Sequence, residues 1–158
     1  MKKLSLLTLV IAIAASSFAQ TSTMGIIAVK EIKTDEIVTS LKVYNNVEVV
    51  LTSNEMSEIQ IIGEISAVKN TTVKIQNGEL IITNSSEDFC KDNVVVFVPA
   101  SALFSIYVHG ASTVSSIDIL DNDILDITIN GAGKSTIQTI GMISLNTVGD
   151  FPAELSAN

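Results

Sequence analysis

Apolar and polar residues alternate along most of this chain. Leu41-Lys42-Val43, Val47-Glu48-Val49, Ile59-Gln60-Ile61, Val73-Lys74-Ile75, Ile106-Tyr107-Val108, Ile117-Asp118-Ile119 and Ile127-Thr128-Ile129 each set an aliphatic residue at every second position. A period of two, rich in β-branched residues, predicts strands with one buried face. Val94-Val95-Val96-Phe97-Val98 is continuously apolar and predicts a strand covered on both faces, closed by Pro99. Turn signals separate the runs: Asn45-Asn46, Thr52-Ser53-Asn54, Asn77-Gly78, Asn84-Ser85-Ser86 and Asp121-Asn122-Asp123. Asn77-Gly78 lies between two alternating runs and predicts a two-residue hairpin. No amphipathic helix stands out. Glu55 to Ala67 is the one stretch arguable as a helix, and Ile59 to Gly63 within it reads better as a strand.

The alternation is also repetitive. Ile106-Tyr107-Val108-His109-Gly110-Ala111-Ser112 returns as Ile127-Thr128-Ile129-Asn130-Gly131-Ala132-Gly133, and more faintly as Ile143-Ser144-Leu145-Asn146-Thr147-Val148-Gly149. Each copy runs from spaced apolar residues into a turn of small residues. Self-similarity of this kind predicts stacked rungs of a β-solenoid. The copies imply two inward columns: Ile106, Ile127 and Ile143 in one, Val108, Ile129 and Leu145 in the other. Two zones follow. Residues from about 37 to 100 read as longer strands joined by hairpins or meanders, and residues from about 101 to 150 as the rungs.

The N-terminus changes the compartment. Met1-Lys2-Lys3 is basic, Leu4 to Ala15 is apolar but short for a membrane span, and Ser17-Phe18-Ala19 carries small residues ahead of Gln20. Residues 1–19 therefore read as a secretory signal cut after Ala19, followed by a lead-in over 20–36 and one domain over 37–158. A retained membrane anchor is the lesser alternative. With no Cys soon after the cut, a lipid-modified N-terminus is not expected. The expected location is the periplasm, the outer-membrane surface or the extracellular space of a Gram-negative bacterium. The formal charge of −8 becomes more negative by two once Lys2 and Lys3 leave. An acidic chain with no Arg repels phosphate backbones and anionic membranes, which excludes nucleic acid as a partner.

Candidate chemistry is sparse. Cys90 is the single cysteine, so no intrachain disulfide is possible; its mainly acidic neighbours, Glu87, Asp88 and Asp92, disfavour a reactive thiolate. Gly131-Ala132-Gly133-Lys134-Ser135-Thr136 resembles the end of a phosphate-binding loop. The required earlier Gly is replaced by Thr128, and strand-like Ile137 to Ile140 stands where a helix is needed, so the motif reads as a solenoid corner and not as a nucleotide site. Asp118, Asp121, Asp123 and Asp126 form the densest acidic cluster and raise weak calcium binding as a possibility. Their spacing fails the EF-hand, with Asp126 at the sixth loop position and Ala132 at the twelfth, and solvated turn carboxylates are the simpler reading. His109 is the single histidine and leads into a turn, a structural position. No catalytic, cofactor-binding or metal-binding residue is assigned, and no cofactor is expected.

The strand pair Leu41-Lys42-Val43-Tyr44-Asn45-Asn46-Val47-Glu48-Val49-Val50-Leu51, then Asn77-Gly78-Glu79-Leu80-Ile81-Ile82, Val94 to Pro99 and the Ile-Asn-Gly-Ala-Gly repeats occur in a telling order. In that order they resemble the "putative auto-transporter adhesin, head GIN domain" family of secreted bacterial proteins, from about residue 37 to 151. The resemblance implies an all-β fold, a right-handed single-stranded β-helix, here with hairpin- or meander-like N-terminal strands. It also implies further Gly-rich rungs beyond the length of this chain, so the last rung needs a cap, another chain, or Phe151-Pro152. The expected function is a secreted, non-catalytic adhesive or structural module. Its partner is an unknown protein or glycan, with self-association through solenoid edges as a further option. The alternative is a polysaccharide-binding or polysaccharide-active protein on the same fold. Against activity stand the missing Arg and Trp and a supply of only two tyrosines, Tyr44 and Tyr107.

Overall fold

The computed structural model describes residues 26–53, 58–85 and 94–148. The expected signal over 1–19, Asn54, Cys90 with its acidic neighbours, Gly149 and the Phe151-Pro152 cap lie outside the described residues. Twelve strands and one short helix are described: β1 (Ile27–Lys33), β2 (Ser40–Asn45), β3 (Glu48–Thr52), β4 (Glu58–Glu64), α1 (Ile65–Asn70), β5 (Thr71–Gln76), β6 (Glu79–Asn84), β7 (Val94–Pro99), β8 (Ser105–Gly110), β9 (Thr113–Ser116), β10 (Ile124–Asn130), β11 (Lys134–Thr136) and β12 (Met142–Val148).

The strands form two mixed six-stranded sheets. The first runs β1-β4-β7-β3-β9-β11 and the second β12-β10-β8-β2-β6-β5. In the first sheet β7, β3, β9 and β11 are parallel neighbours, while β4 and β1 add antiparallel strands at one end. In the second, β12, β10, β8, β2 and β6 are parallel, and β5 closes the corresponding end antiparallel. The inner faces of both sheets share one core, and its buried apolar residues are all Val, Leu, Ile or Ala.

The chain alternates between the sheets. β2, β8 and β10 lie in the second sheet, and each passes through a short corner into β3, β9 and β11 of the first. At that corner Asn45, Gly110 and Gly131 have φ of 71°, 81° and 107°. They stack directly: a Cβ on Gly110 would lie 3.2 Å from the Asn45 carbonyl oxygen, and one on Gly131 3.2 Å from that of Gly110. Glycine suits this column because the backbone is both left-handed and closely approached. Ser112, fully buried, ties two turns together: its hydroxyl donates to the Asn45 carbonyl at 2.6 Å and accepts from the Val47 N–H at 3.4 Å. Away from that corner, buried Asn122 donates through Nδ2 to the carbonyls of Ala100 and Leu103 at 2.9 and 2.7 Å.

Several expectations hold and several change. The Asn77-Gly78 hairpin joins β5 to β6, with both residues at positive φ, as a primed turn requires. Ile127 opposes Ile106 and Ile129 opposes Val108, as the repeat predicts. The third copy is slipped by two: Leu145, not Ile143, opposes Ile127, and Thr147, not Leu145, opposes Ile129. A slip of two keeps every side chain on its own face, so alternation alone cannot detect it. The division into two zones holds only in part: the antiparallel pairs and the β5–β6 hairpin fall within residues 27–99, but β2 sits between β6 and β8 and β3 between β7 and β9, all parallel. The columns therefore begin earlier, as Leu80-Leu41-Ile106-Ile127-Leu145 and Ile82-Val43-Val108-Ile129-Thr147.

Ile117-Asp118-Ile119 is not a strand. Both isoleucines are exposed beyond the end of β9, where the chain bends away. Helix α1 was invisible to periodicity because it has only six residues, of which Ala67 and Val68 are buried. Val94, Val96 and Val98 are buried and Val95 and Phe97 half-buried, so β7 is less fully covered on its outer side than expected. β1 falls within the lead-in and pairs along its whole length with β4. No described helix is long and apolar enough to cross a membrane.

Candidate ligand-binding face

The outer face of the second sheet is set by the same alternation that fills the core. With Leu41, Val43, Ile106, Val108, Ile127 and Ile129 turned inward, the intervening residues must point out. Strand pairing arranges them in rows. One row reads Lys74, Ile81, Lys42, Tyr107, Thr128, Asn146; the next reads Thr72, Thr83, Tyr44, His109, Asn130, Val148. A third carries Gln76, Glu79, Ser40, Ser105, Asp126 and Ser144.

Three rings meet in the middle of this face. Tyr44 on β2 lies directly across from His109 on β8, with ring centroids 5.8 Å apart, and diagonally across from Tyr107 at 6.0 Å. Tyr107 and His109 are two apart on one strand, with nearly parallel rings (6°) and centroids 6.3 Å apart. The neighbouring strand β10 braces them: Asn130 Nδ2 donates to the Tyr107 hydroxyl at 3.1 Å. That hydroxyl accepts from the amide and keeps its own O–H to donate. Tyr44 and Tyr107 are half-buried and His109 is exposed.

Beside the rings, Lys42 pairs with Glu79 at 2.7 Å. The hydrogen bond from the ammonium to the Glu79 carboxylate holds the Lys42 pKa above its ordinary 10.5 against a smaller opposing effect of desolvation, and the charge of Glu79 adds to the rise. Four charged side chains lie on the face, Lys42 and Lys74 against Glu79 and Asp126, so they cancel. A shallow depression of about 250 Å³ lined by Gln76, Asn77 and Glu79 opens at the hairpin end.

The structure redistributes the residues singled out by sequence. His109 does not simply lead into a turn; it is an exposed member of the ring cluster, next to Gly110. Tyr44 and Tyr107, too few to make a platform by count, stand together because β2 pairs with β8. Asp118 accepts a hydrogen bond from the Ser53 N–H at 3.1 Å, Asp121 and Asp123 lie exposed in the approach to β10, and Asp126 points outward from β10. Among the described residues no three His, Cys, Asp or Glu side chains gather in a group able to hold a metal ion. Gly131 to Gly133 forms the corner between β10 and β11, Lys134 to Thr136 is β11 itself, and Ile137 to Ile140 follows as neither helix nor regular strand, so no helix N-terminus faces the loop.

Residues 38–151 match the family model described as "Putative auto-transporter adhesin, head GIN domain". Among solved structures, a "putative adhesin" from Parabacteroides merdae is similar at 18% identity and a TM-score of 0.64, covering 85% of this chain and 59% of its own. One from Bacteroides fragilis is similar at 17% identity and a TM-score of 0.55, covering 76% and 61%. A "putative lipid binding protein" from Parabacteroides distasonis follows at 11% identity and 0.53, covering 85% and 63%. At these identities the likeness is one of fold, and this chain spans less than two thirds of the length of each. Comparison with curated proteins returns no match.

Proposed function

Because this chain belongs to the family described as "Putative auto-transporter adhesin, head GIN domain", we propose that it is an exported, non-catalytic adhesive module of the bacterial cell envelope. Residues 1–19 act as its secretory signal, and 37–158 form one domain. The family match over residues 38–151 is the observation that carries this reading. The strand pairing supports the finer description of the domain as a short right-handed β-helix. Parallel strands recur in both sheets, and the left-handed corner of Asn45, Gly110 and Gly131 repeats from rung to rung. A coil of this kind offers a long, regular outer face on which a partner can lie across several rungs.

Polysaccharide hydrolysis is the weaker reading. Such chemistry needs two carboxylates held on either side of a glycosidic bond. Asp118, Asp121, Asp123 and Asp126 are spread over a loop and the outer face of β10.

The test is fractionation and protease shaving of cells expressing the full-length chain, with adhesion of those cells to coated surfaces. The expected result is processed protein outside the inner membrane and a loss of adhesion on deletion. Protein retained in the cytoplasm at its unprocessed size, with adhesion unchanged by deletion, refutes the proposal.

A further inference from the structure

We infer that the outer face of the second sheet, centred on Tyr44, Tyr107 and His109, binds a neutral polysaccharide lying across the strands. The inference deepens the adhesive reading above and rests on it for its biological setting only. Four observations carry it. The first is where the rings are. The chain has two tyrosines and one histidine, and all three lie in one surface cluster with centroid separations of 5.8 to 6.3 Å. The core uses no ring at all among its described buried residues. The cluster therefore does no packing that the aliphatic columns leave undone.

The second is the kind of surface around the rings. Hydroxyl and amide side chains predominate, and only Ile81 and Val148 are aliphatic in the three rows. Rings with apolar faces beside hydroxyls and amides match a sugar, which offers C–H faces and equatorial hydroxyls together. The exposed apolar pair of this face, Ile124 and Met142, stands beyond the third row at the sheet edge, away from the rings. The Tyr107 O–H and the other lone pairs of the hydroxyls remain available for such a ligand.

The third is charge. The chain as a whole is strongly acidic, at −8, yet this face carries two lysines against two carboxylates and is balanced. Lys42 is occupied by Glu79 at 2.7 Å. An anionic polymer would meet a repelling molecule and find no free cluster of cations, whereas an uncharged one meets no penalty. The fourth is geometry. Neighbouring rungs stand about 4.8 Å apart, close to the length of one sugar ring. Tyr44, Tyr107 and Asn130 come from three successive rungs, so a chain crossing the strands meets a fresh side chain at each sugar.

The composition supplies the assay. With no Trp and both tyrosines in the cluster, tyrosine emission reports on this face alone. The purified protein is run in affinity gels containing laminarin, α-mannan, galactomannan or starch, with polygalacturonate and heparin as anionic comparators, and tyrosine emission is titrated in parallel. We expect retardation and an emission change with at least one neutral polymer. Tyr44→Ala and Tyr107→Ala each weaken it about tenfold, as truncation of an aromatic anchor does, and Tyr107→Phe weakens it less. Circular dichroism checks each variant. Thr128→Glu, on the rung beside Tyr107, gives an independent block that leaves the rings in place and also abolishes retardation.

Failure of all four neutral polymers to retard the protein overturns the inference. So does retardation with no emission change, retardation by the anionic polymers alone, or equal retardation of the variants. The two proposals fail separately. Cytoplasmic retention with intact binding by purified protein removes the export reading and leaves the face. Surface display with adhesion unaffected by the double variant Tyr44→Ala, Tyr107→Ala removes the face and leaves the adhesin.

Discussion

Gly110 is the position at which the left-handed corner between the sheets can be tested most directly. It has φ of 81°, and a Cβ built there lies 3.2 Å from the Asn45 carbonyl oxygen, 3.5 Å from its Cα and 3.6 Å from its nitrogen. Two costs are separable. A left-handed backbone costs an ordinary L-residue roughly 1–2 kcal/mol. The approach to the Asn45 oxygen is tight but relieved by a shift of a few tenths of an ångström, which adds less. Gly110→Ala should therefore destabilise by about 2 kcal/mol. Gly110→Asn should cost roughly half of that, because asparagine reaches left-handed angles more easily. The stacked corner after β2 already shows this, with Asn45 at 71° and its Nδ2 donating to the Asn84 carbonyl. Gly110→Val should be the worst, because a β-branched side chain tolerates positive φ least. For a domain of this size 1 kcal/mol moves the melting midpoint by roughly 3 °C, so the alanine variant should melt about 6 °C below wild type. Thermal melts followed by circular dichroism, repeated with urea at fixed temperature, read the order Gly, Asn, Ala, Val. An alanine variant melting with wild type, or asparagine falling below valine, would mean that the corner is not held at these angles.

The remaining predictions concern the core, the second corner and the charged pair. Ile129, 2% exposed in the middle of its column, should not tolerate Ile129→Asp; the variant is expected in inclusion bodies, and a soluble protein with a wild-type melt would contradict the inward column. Asn122→Ala removes both Nδ2 donors that serve the carbonyls of Ala100 and Leu103; the Ala100 carbonyl keeps the Leu103 N–H at 3.1 Å, so the loss falls mainly on the Leu103 carbonyl and should cost about 2 kcal/mol by urea titration. The Lys42–Glu79 pair should give stability no pH dependence near neutrality. The folded pKa of Lys42 is raised above 10.5, so its contribution is complete below that value and is lost as pH climbs through the folded pKa. Melts of wild type and Glu79→Gln should accordingly differ no more at pH 6 than at pH 9 and converge only in stronger alkali.

The parts of the fold visible in the sequence were those repeated without damage. Ile106 to Gly110 and Ile127 to Gly131 have equal length and matching corners, so their pairing could be read from the letters. Ile143-Ser144-Leu145 offers two apolar residues in the same phase, and only the ladder decides that Leu145 faces Ile127. Ile117 and Ile119 alternate like a strand but stand exposed past the end of β9, because periodicity records spacing and not direction. The ring cluster was hidden by distance along the chain. A signal was present: Leu41-Lys42-Val43-Tyr44-Asn45 has the apolar spacing and left-handed terminus of Ile106-Tyr107-Val108-His109-Gly110, and aligning the two brings Tyr44 to His109. The substitution of Asn for Gly at the corner masked that kinship.

The two ends of the strand stacks are unlike. At one end β1 and β5 run against their neighbours, and a strand reversed in this way interrupts the parallel pattern. At the other, β11 and β12 run with theirs, and the pattern can be continued indefinitely. A further parallel strand can therefore add beside β11 or β12 without disturbing β1 and β5 at the opposite end.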